Sequence, residues 1–84
     1  MKIVFKLYAG LTSYLPADAR TENRMPLDLP DGTSSGQVIE PFQLPQKMVH
    51  LVLVNGVYVA PAERFTHALK DGDVLAIWPP IAGG

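Results

Sequence analysis

The sequence predicts a two-layer α+β domain, with one mixed sheet of four to five strands covered on one face by a single short helix. Three observations carry this. Residues alternate apolar and polar at both ends of the chain, in Lys2–Tyr8 and Val74–Trp78. Between them, Asn55-Gly56 sits inside an apolar run, the strongest short signal for a hairpin. A serine with glutamine three residues on, Ser34 and Gln37, has the form of a capping box and opens the one stretch with helical apolar spacing.

Each element follows in order. In Lys2–Tyr8, Ile3, Phe5 and Leu7 share one face, and Lys2, Val4, Lys6 and Tyr8 share the other, as in a strand with one buried face. A turn region follows around Pro16, then a polar loop, ADARTEN. A second strand is expected from about Arg24 to Leu29, where Met25, Leu27 and Leu29 alternate. Pro30-Asp31-Gly32 marks a turn. Val38, Ile39 and Phe42 give a helical stripe of about two turns. Pro41 distorts it by removing a backbone donor, and Pro45 ends it. Val49–Val54 and Val57–Val59 form the hairpin, with Val57 and Val59 of core type. APAERFTHAL reads as an irregular connection and Lys70–Asp73 as a turn. In the last strand, Leu75 and Ile77 face the core, and Val74, Ala76 and Trp78 face outwards.

With 84 residues the chain makes one domain with one small core. The 48% apolar content suits a globular chain rather than a disordered one. Formal net charge is −1, and Lys2, Lys6, Arg20, Arg24, Lys47, Arg64 and Lys70 are scattered. That pattern argues against nucleic acid and against a membrane surface as partners. There is no cysteine, which removes disulfides, thiolate metal sites, iron–sulfur clusters and thiol nucleophiles together. His50 and His67 form no metal-binding spacing, so no metal is expected. Lys6 breaks the apolar run at the N-terminus, so this reads as a strand and not a signal peptide. No stretch approaches the roughly 20 apolar residues of a membrane span, and the expected location is the cytoplasm.

The final residues, WPPIAGG, carry the functional signal. Two glycines end a chain by chance about once in 200 sequences at average usage. An apolar strand followed by Pro79-Pro80-Ile81-Ala82-Gly83-Gly84 is far more specific. LKDGDVLAIWPPIAGG closely resembles the end of the sulfur carriers related to the small subunit of molybdopterin synthase, with the thiamin sulfur carrier a more distant cousin. LVLVNGVYV and KIVFKLYA match in type and position; the likeness is weakest across residues 12–48.

This resemblance implies the ubiquitin-like β-grasp fold, with the first and last strands parallel and adjacent. It also implies residues 1–78 as the body and 79–84 as a flexible tail. The reactive group is then the carboxylate of Gly84. An E1-like adenylyltransferase would join it to AMP using ATP. A sulfurtransferase donor would supply sulfur to give a thiocarboxylate, and the large molybdopterin synthase subunit would receive it. The carrier itself is expected to bind no cofactor and to catalyse nothing alone. Gly83 and Gly84 lack Cβ atoms and can thread a narrow channel with φ of either sign. Pro79 and Pro80 stop the strand and favour extension, and Ile81 anchors the tail at the channel mouth, with Ala82 following it into the channel.

Trp78 and Tyr8 fall on the non-core face of these two strands, and Tyr58 is placed with them as a partner-binding aromatic patch. Asp71-Gly72-Asp73 reads as a turn, with Asp73 available as a rim charge. Other readings of the same tail are a carrier for thiamin, cysteine or tRNA thiolation, and a ubiquitin-like modifier joined to lysines. A β-grasp RNA-binding module fits poorly with the near-neutral charge. A plant-type ferredoxin is excluded by the missing cysteines.

Overall fold

The computed structural model describes residues 1–80. Five strands form one mixed sheet in the order β2-β1-β5-β3-β4. They are β1 (Lys2–Leu7), β2 (Arg24–Asp28), β3 (Leu51–Val54), β4 (Val57–Tyr58) and β5 (Val74–Trp78). The two ends of the chain pair in parallel at the centre, with Phe5 beside Leu75 and Leu7 beside Ile77. β2 pairs antiparallel with β1, and β3 pairs antiparallel with both β5 and β4.

The alternation in sequence becomes two faces. Ile3, Phe5, Leu7, Val52, Leu75 and Ile77 are almost completely buried on the inner one. The single α-helix among the described residues, α1 (Ser35–Ile39), packs over it and contributes Val38 to the core. Leu11, Leu15, Val59 and Leu69 complete the core from the connections. Phe5 meets Phe42 with ring centroids 4.6 Å apart.

The capping box is present. Ser34 Oγ accepts from Gln37 N, and Gln37 Oε1 accepts from Ser34 N at 2.9 Å. Glu40–Phe42 continues α1 as a 3₁₀ turn, because Pro41 has no N–H for the α-helical ladder. The expected two turns are therefore there, distorted as Pro41 requires. Gln43, with φ 53°, ends the segment two residues before Pro45. Gly36 N donates to Arg64 O at 2.6 Å, tying the start of α1 to the connection after β4.

Three local readings change. The region after β1 is a 3₁₀ helix, Ala9–Tyr14, which turns Leu11 into the core. The hairpin strands are shorter than expected, starting at Leu51 and ending at Tyr58. Val57 is not of core type: it lies opposite Val54 but is 68% exposed, since a five-residue helix leaves this edge of the inner face uncovered.

Asp73 is also corrected. It is buried, with Oδ2 accepting from Lys70 N at 2.8 Å and Oδ1 accepting from Asn55 Nδ2 at 2.9 Å. The turn before β5 uses up this carboxylate, so it is no rim charge. Asp71 stays exposed and its Oδ1 accepts from Lys2 N, joining the same turn to the start of β1.

Candidate functional site

The outer face of the sheet carries the candidate site, and register places its members. Tyr8 follows Leu7 directly, and Leu7 pairs with Ile77, so Tyr8 comes level with Trp78 on the outer side. Their rings stack with centroids 3.9 Å apart and planes 4° from parallel. Tyr8 N donates to Ile77 O at 3.2 Å, fastening β1 to β5 beneath the stack. On the other side, Leu51 pairs with Trp78, and His50 N donates to Trp78 O at 3.2 Å. The end of β5 is thus held from both sides, at Ile77 by Tyr8 and at Trp78 by His50.

There the ladder stops. Pro79 and Pro80 have no N–H to donate, so no further rung can form through them. Pro79 is half-buried and Pro80 is exposed, which brings the chain out to the surface beside the stacked rings. Ile81, Ala82, Gly83 and Gly84, the expected anchor, threading residues and reactive terminus, lie outside the described residues.

Tyr58 belongs to the same face but not to the stack. It pairs with Leu53, which pairs with Ala76, one step along from the Leu51–Trp78 row. It is half exposed and forms no ring pair with Tyr8 or Trp78. The three aromatic residues therefore share one face as expected, with two in direct contact and the third linked through leucine.

Leu51 and Leu53 are the residues that motif reasoning passed over. Leu51 is 38% exposed, like Trp78, and lies directly beside it. A signal was available, because Leu51-Val52-Leu53-Val54 is apolar at every position, and a strand of this kind presents an apolar surface on both faces. The surface around the end of β5 is therefore Tyr8, Trp78, Leu51 and Leu53, with Tyr58 beyond. Lys6, opposite Ala76, and Arg24, opposite Lys6, give it a basic border. An apolar centre with aromatic members and a charged rim is the composition of a protein-docking surface.

Other features contribute little to this site. A cleft of about 370 Å³ lies on the helix side, between Ile39, Leu44, Val49 and Phe65. His67 is exposed. Among the described residues, no group of three or more His, Cys, Asp or Glu is arranged to hold a metal ion. Among the same residues, no helix is long and apolar enough to cross a membrane.

The family description that matches this sequence is that of the ThiS family, over residues 14–84. The chain belongs to the ThiS family. It is a small ubiquitin-like member of this sulfur-carrier group. Solved structures agree on the fold. This ThiS-family chain is similar to SAMP1 from Haloferax volcanii, at 22% identity across all of both chains and a TM-score of 0.69. It is similar to the HVO 2177 protein of Haloferax volcanii at 22% identity and a TM-score of 0.73, covering all of this chain and 87% of that one. It is also similar to a chain in the complex of subunits 1 and 2 of molybdopterin-converting factor from Helicobacter pylori 26695. There the identity is 17% and the TM-score 0.62, across all of both chains. The sheet order and the parallel β1–β5 pair are those of the ubiquitin-like β-grasp. No curated protein sequence matches the chain.

Proposed function

We propose that this ThiS-family chain carries sulfur on the C-terminal carboxylate of Gly84 and donates it in molybdopterin biosynthesis, as the small subunit of the synthase. The observation that carries the proposal is a junction. A family match that runs to residue 84 meets a strand whose end is held from both sides, at Ile77 by Tyr8 and at Trp78 by His50, beside an exposed aromatic stack. The body supplies the docking surface, and the Pro79–Gly84 segment supplies the reactive end.

The chemistry needs activation first. A carboxylate is a poor acceptor, so the E1-like partner joins the Gly84 carboxylate to the α-phosphate of ATP and releases pyrophosphate. A persulfide sulfur from the sulfurtransferase then attacks the acyl carbon and AMP departs. Reductive cleavage of the resulting acyl disulfide by a thiol leaves the thiocarboxylate. The thioacid is ionised at neutral pH and attacks through sulfur. The carrier's own contribution is presentation: Gly83 and Gly84 have no side chain to meet the wall of the partner's channel. Tyr8, Trp78 and Leu51 hold the partner while the tail is inserted. The likeness of the tail to the molybdopterin synthase small subunits, and of the fold to the Helicobacter pylori chain, supports the large synthase subunit as the sulfur-receiving partner.

Appending one alanine after Gly84 tests this reading. The extended chain is expected to melt at the same temperature as the parent and to lose ATP–pyrophosphate exchange with the activating enzyme. Undiminished exchange would refute the role of Gly84. Adducts joined to lysines and stable to reducing agent would instead assign the same activated carboxylate to protein modification.

A further inference from the structure

At the opposite end of the sheet from the stack, the β3–β4 turn is fastened to the first residue of β5 by one side chain. Asn55 Oδ1 accepts from Val74 N at 2.9 Å, and Asn55 Nδ2 donates to Asp73 Oδ1 at 2.9 Å. The backbone joins in, with Asn55 N donating to Val74 O at 2.8 Å. Asp73 is buried, and its second oxygen is occupied by Lys70 N. The clasp therefore needs an amide at position 55: one end must accept and the other must donate.

The residue after Asn55 is Gly56, with φ 82°. Without a Cβ, Gly56 leaves its own backbone nitrogen open to approach by the preceding side chain. We infer that Asn55-Gly56 is a deamidation site whose product dismantles the clasp between the β3–β4 hairpin and β5. Gly56 N attacks Asn55 Cγ, forming an N–Cγ bond and a five-membered imide. The Cγ–Nδ2 bond breaks, and the nitrogen leaves as ammonia with the proton lost from Gly56 N. Water then opens the imide at one carbonyl or the other, giving aspartate or isoaspartate. Nothing is oxidised or reduced.

The fold opposes the first step and makes the last one disruptive. Both ends of the Asn55 side chain are engaged, one on Asp73 and one on Val74, so Cγ reaches Gly56 N only when the hairpin opens. Once aspartate forms, a carboxylate oxygen replaces the donor that faced Asp73 Oδ1. Two carboxylates then meet across a hydrogen-bond distance with no hydrogen between them. Isoaspartate adds a backbone methylene and displaces the turn as well. The damage falls at the start of the strand that ends in Trp78.

The test uses the full chain. Peptide mapping follows conversion of Asn55 during incubation at mildly alkaline pH, folded and in concentrated urea. Conversion is expected to be at least about tenfold faster in urea, the factor for an opening free energy of about 1.4 kcal/mol. Equal rates, or no conversion in urea, would overturn the inference. Two variants test the consequence. Asn55→Asp is expected to lower the melting temperature, and adding Asp73→Asn to it is expected to recover most of the loss. The pair is then reversed: the carboxylate introduced at position 55 accepts from Val74 N and from the new amide at position 73, whose oxygen still accepts from Lys70 N. A melting temperature unchanged in Asn55→Asp, or no recovery in the double variant when both variants fold, would overturn the clasp. If Asn55→Asp fails to fold and the double variant folds, the clasp stands; if neither folds, it does not.

Discussion

Tyr8 and Trp78 stack face to face, 3.9 Å apart, across the seam between the first and last strands. Each strand alone would leave a large ring in water. Their parallel pairing lets the two rings cover one another while Trp78 stays 38% exposed. The contact between the rings and the docking role proposed for them can be measured separately. In a double-mutant cycle by urea denaturation, Tyr8→Ala and Trp78→Ala are expected to show a coupling of about 1 kcal/mol. In titration against the activating enzyme, Trp78→Ala is expected to weaken binding by roughly 2 kcal/mol while the domain stays folded. Loss of the fold in Trp78→Ala would move this residue from the docking surface into the core.

The inner face carries the stability. Phe5 is fully buried in β1, an interior strand of the sheet, and packs on Phe42. Phe5→Ala is expected to cost about 3–5 kcal/mol, a large share of the 5–15 kcal/mol typical of a domain. Urea denaturation monitored by circular dichroism should find the unfolding midpoint lowered by a matching amount. A loss below about 1 kcal/mol would contradict the packing described.

Gly36 makes a sharper prediction about the helix layer. A Cβ there would lie 2.7 Å from the Phe65 ring, too close to keep. Phe65 is 60% exposed and has room to swing outwards. Gly36→Ala is thus expected to destabilise by only about 1 kcal/mol, within the ordinary range for point changes. Combined with Phe65→Ala, most of that cost should vanish, because the clash has been removed. Additive losses in the two variants would show that the strain lies in the backbone.

The capping box gives a smaller effect. Ser34→Ala removes the acceptor for Gln37 N, and melting curves should show a loss of about 1 kcal/mol.

Legibility in the sequence followed the range of the interactions. The two faces of β1 and β5, the Asn55-Gly56 hairpin and the Ser34 capping box all arise within a few residues, and all could be read directly. Which strands would be neighbours could not, because alternation assigns faces and not partners. The parallel β1–β5 pair, with its residues about 70 positions apart, was implied by family likeness alone. Asp73 was misread for the same reason: its Lys70 contact is local, but the Asn55 amide that completes its burial comes from another hairpin. Val57 looked like a core residue because its neighbours do, and only the length of α1 shows that nothing covers it. On the outer face of the sheet, Tyr8 and Trp78 were legible from alternation. Leu51 was hidden by the uniform apolarity of β3, in which both faces read alike.

The central claim is that the reactive atom of this protein is the last carbonyl of its own chain. Intact-mass spectrometry after incubation with the activating enzyme, ATP and a persulfide donor tests it most directly. The predicted result is a species heavier by the exchange of one oxygen for one sulfur, with fragmentation placing the change at Gly84. A mass that stays unchanged while the activating enzyme is shown to be active, or a sulfur atom found on any other residue, would contradict the account.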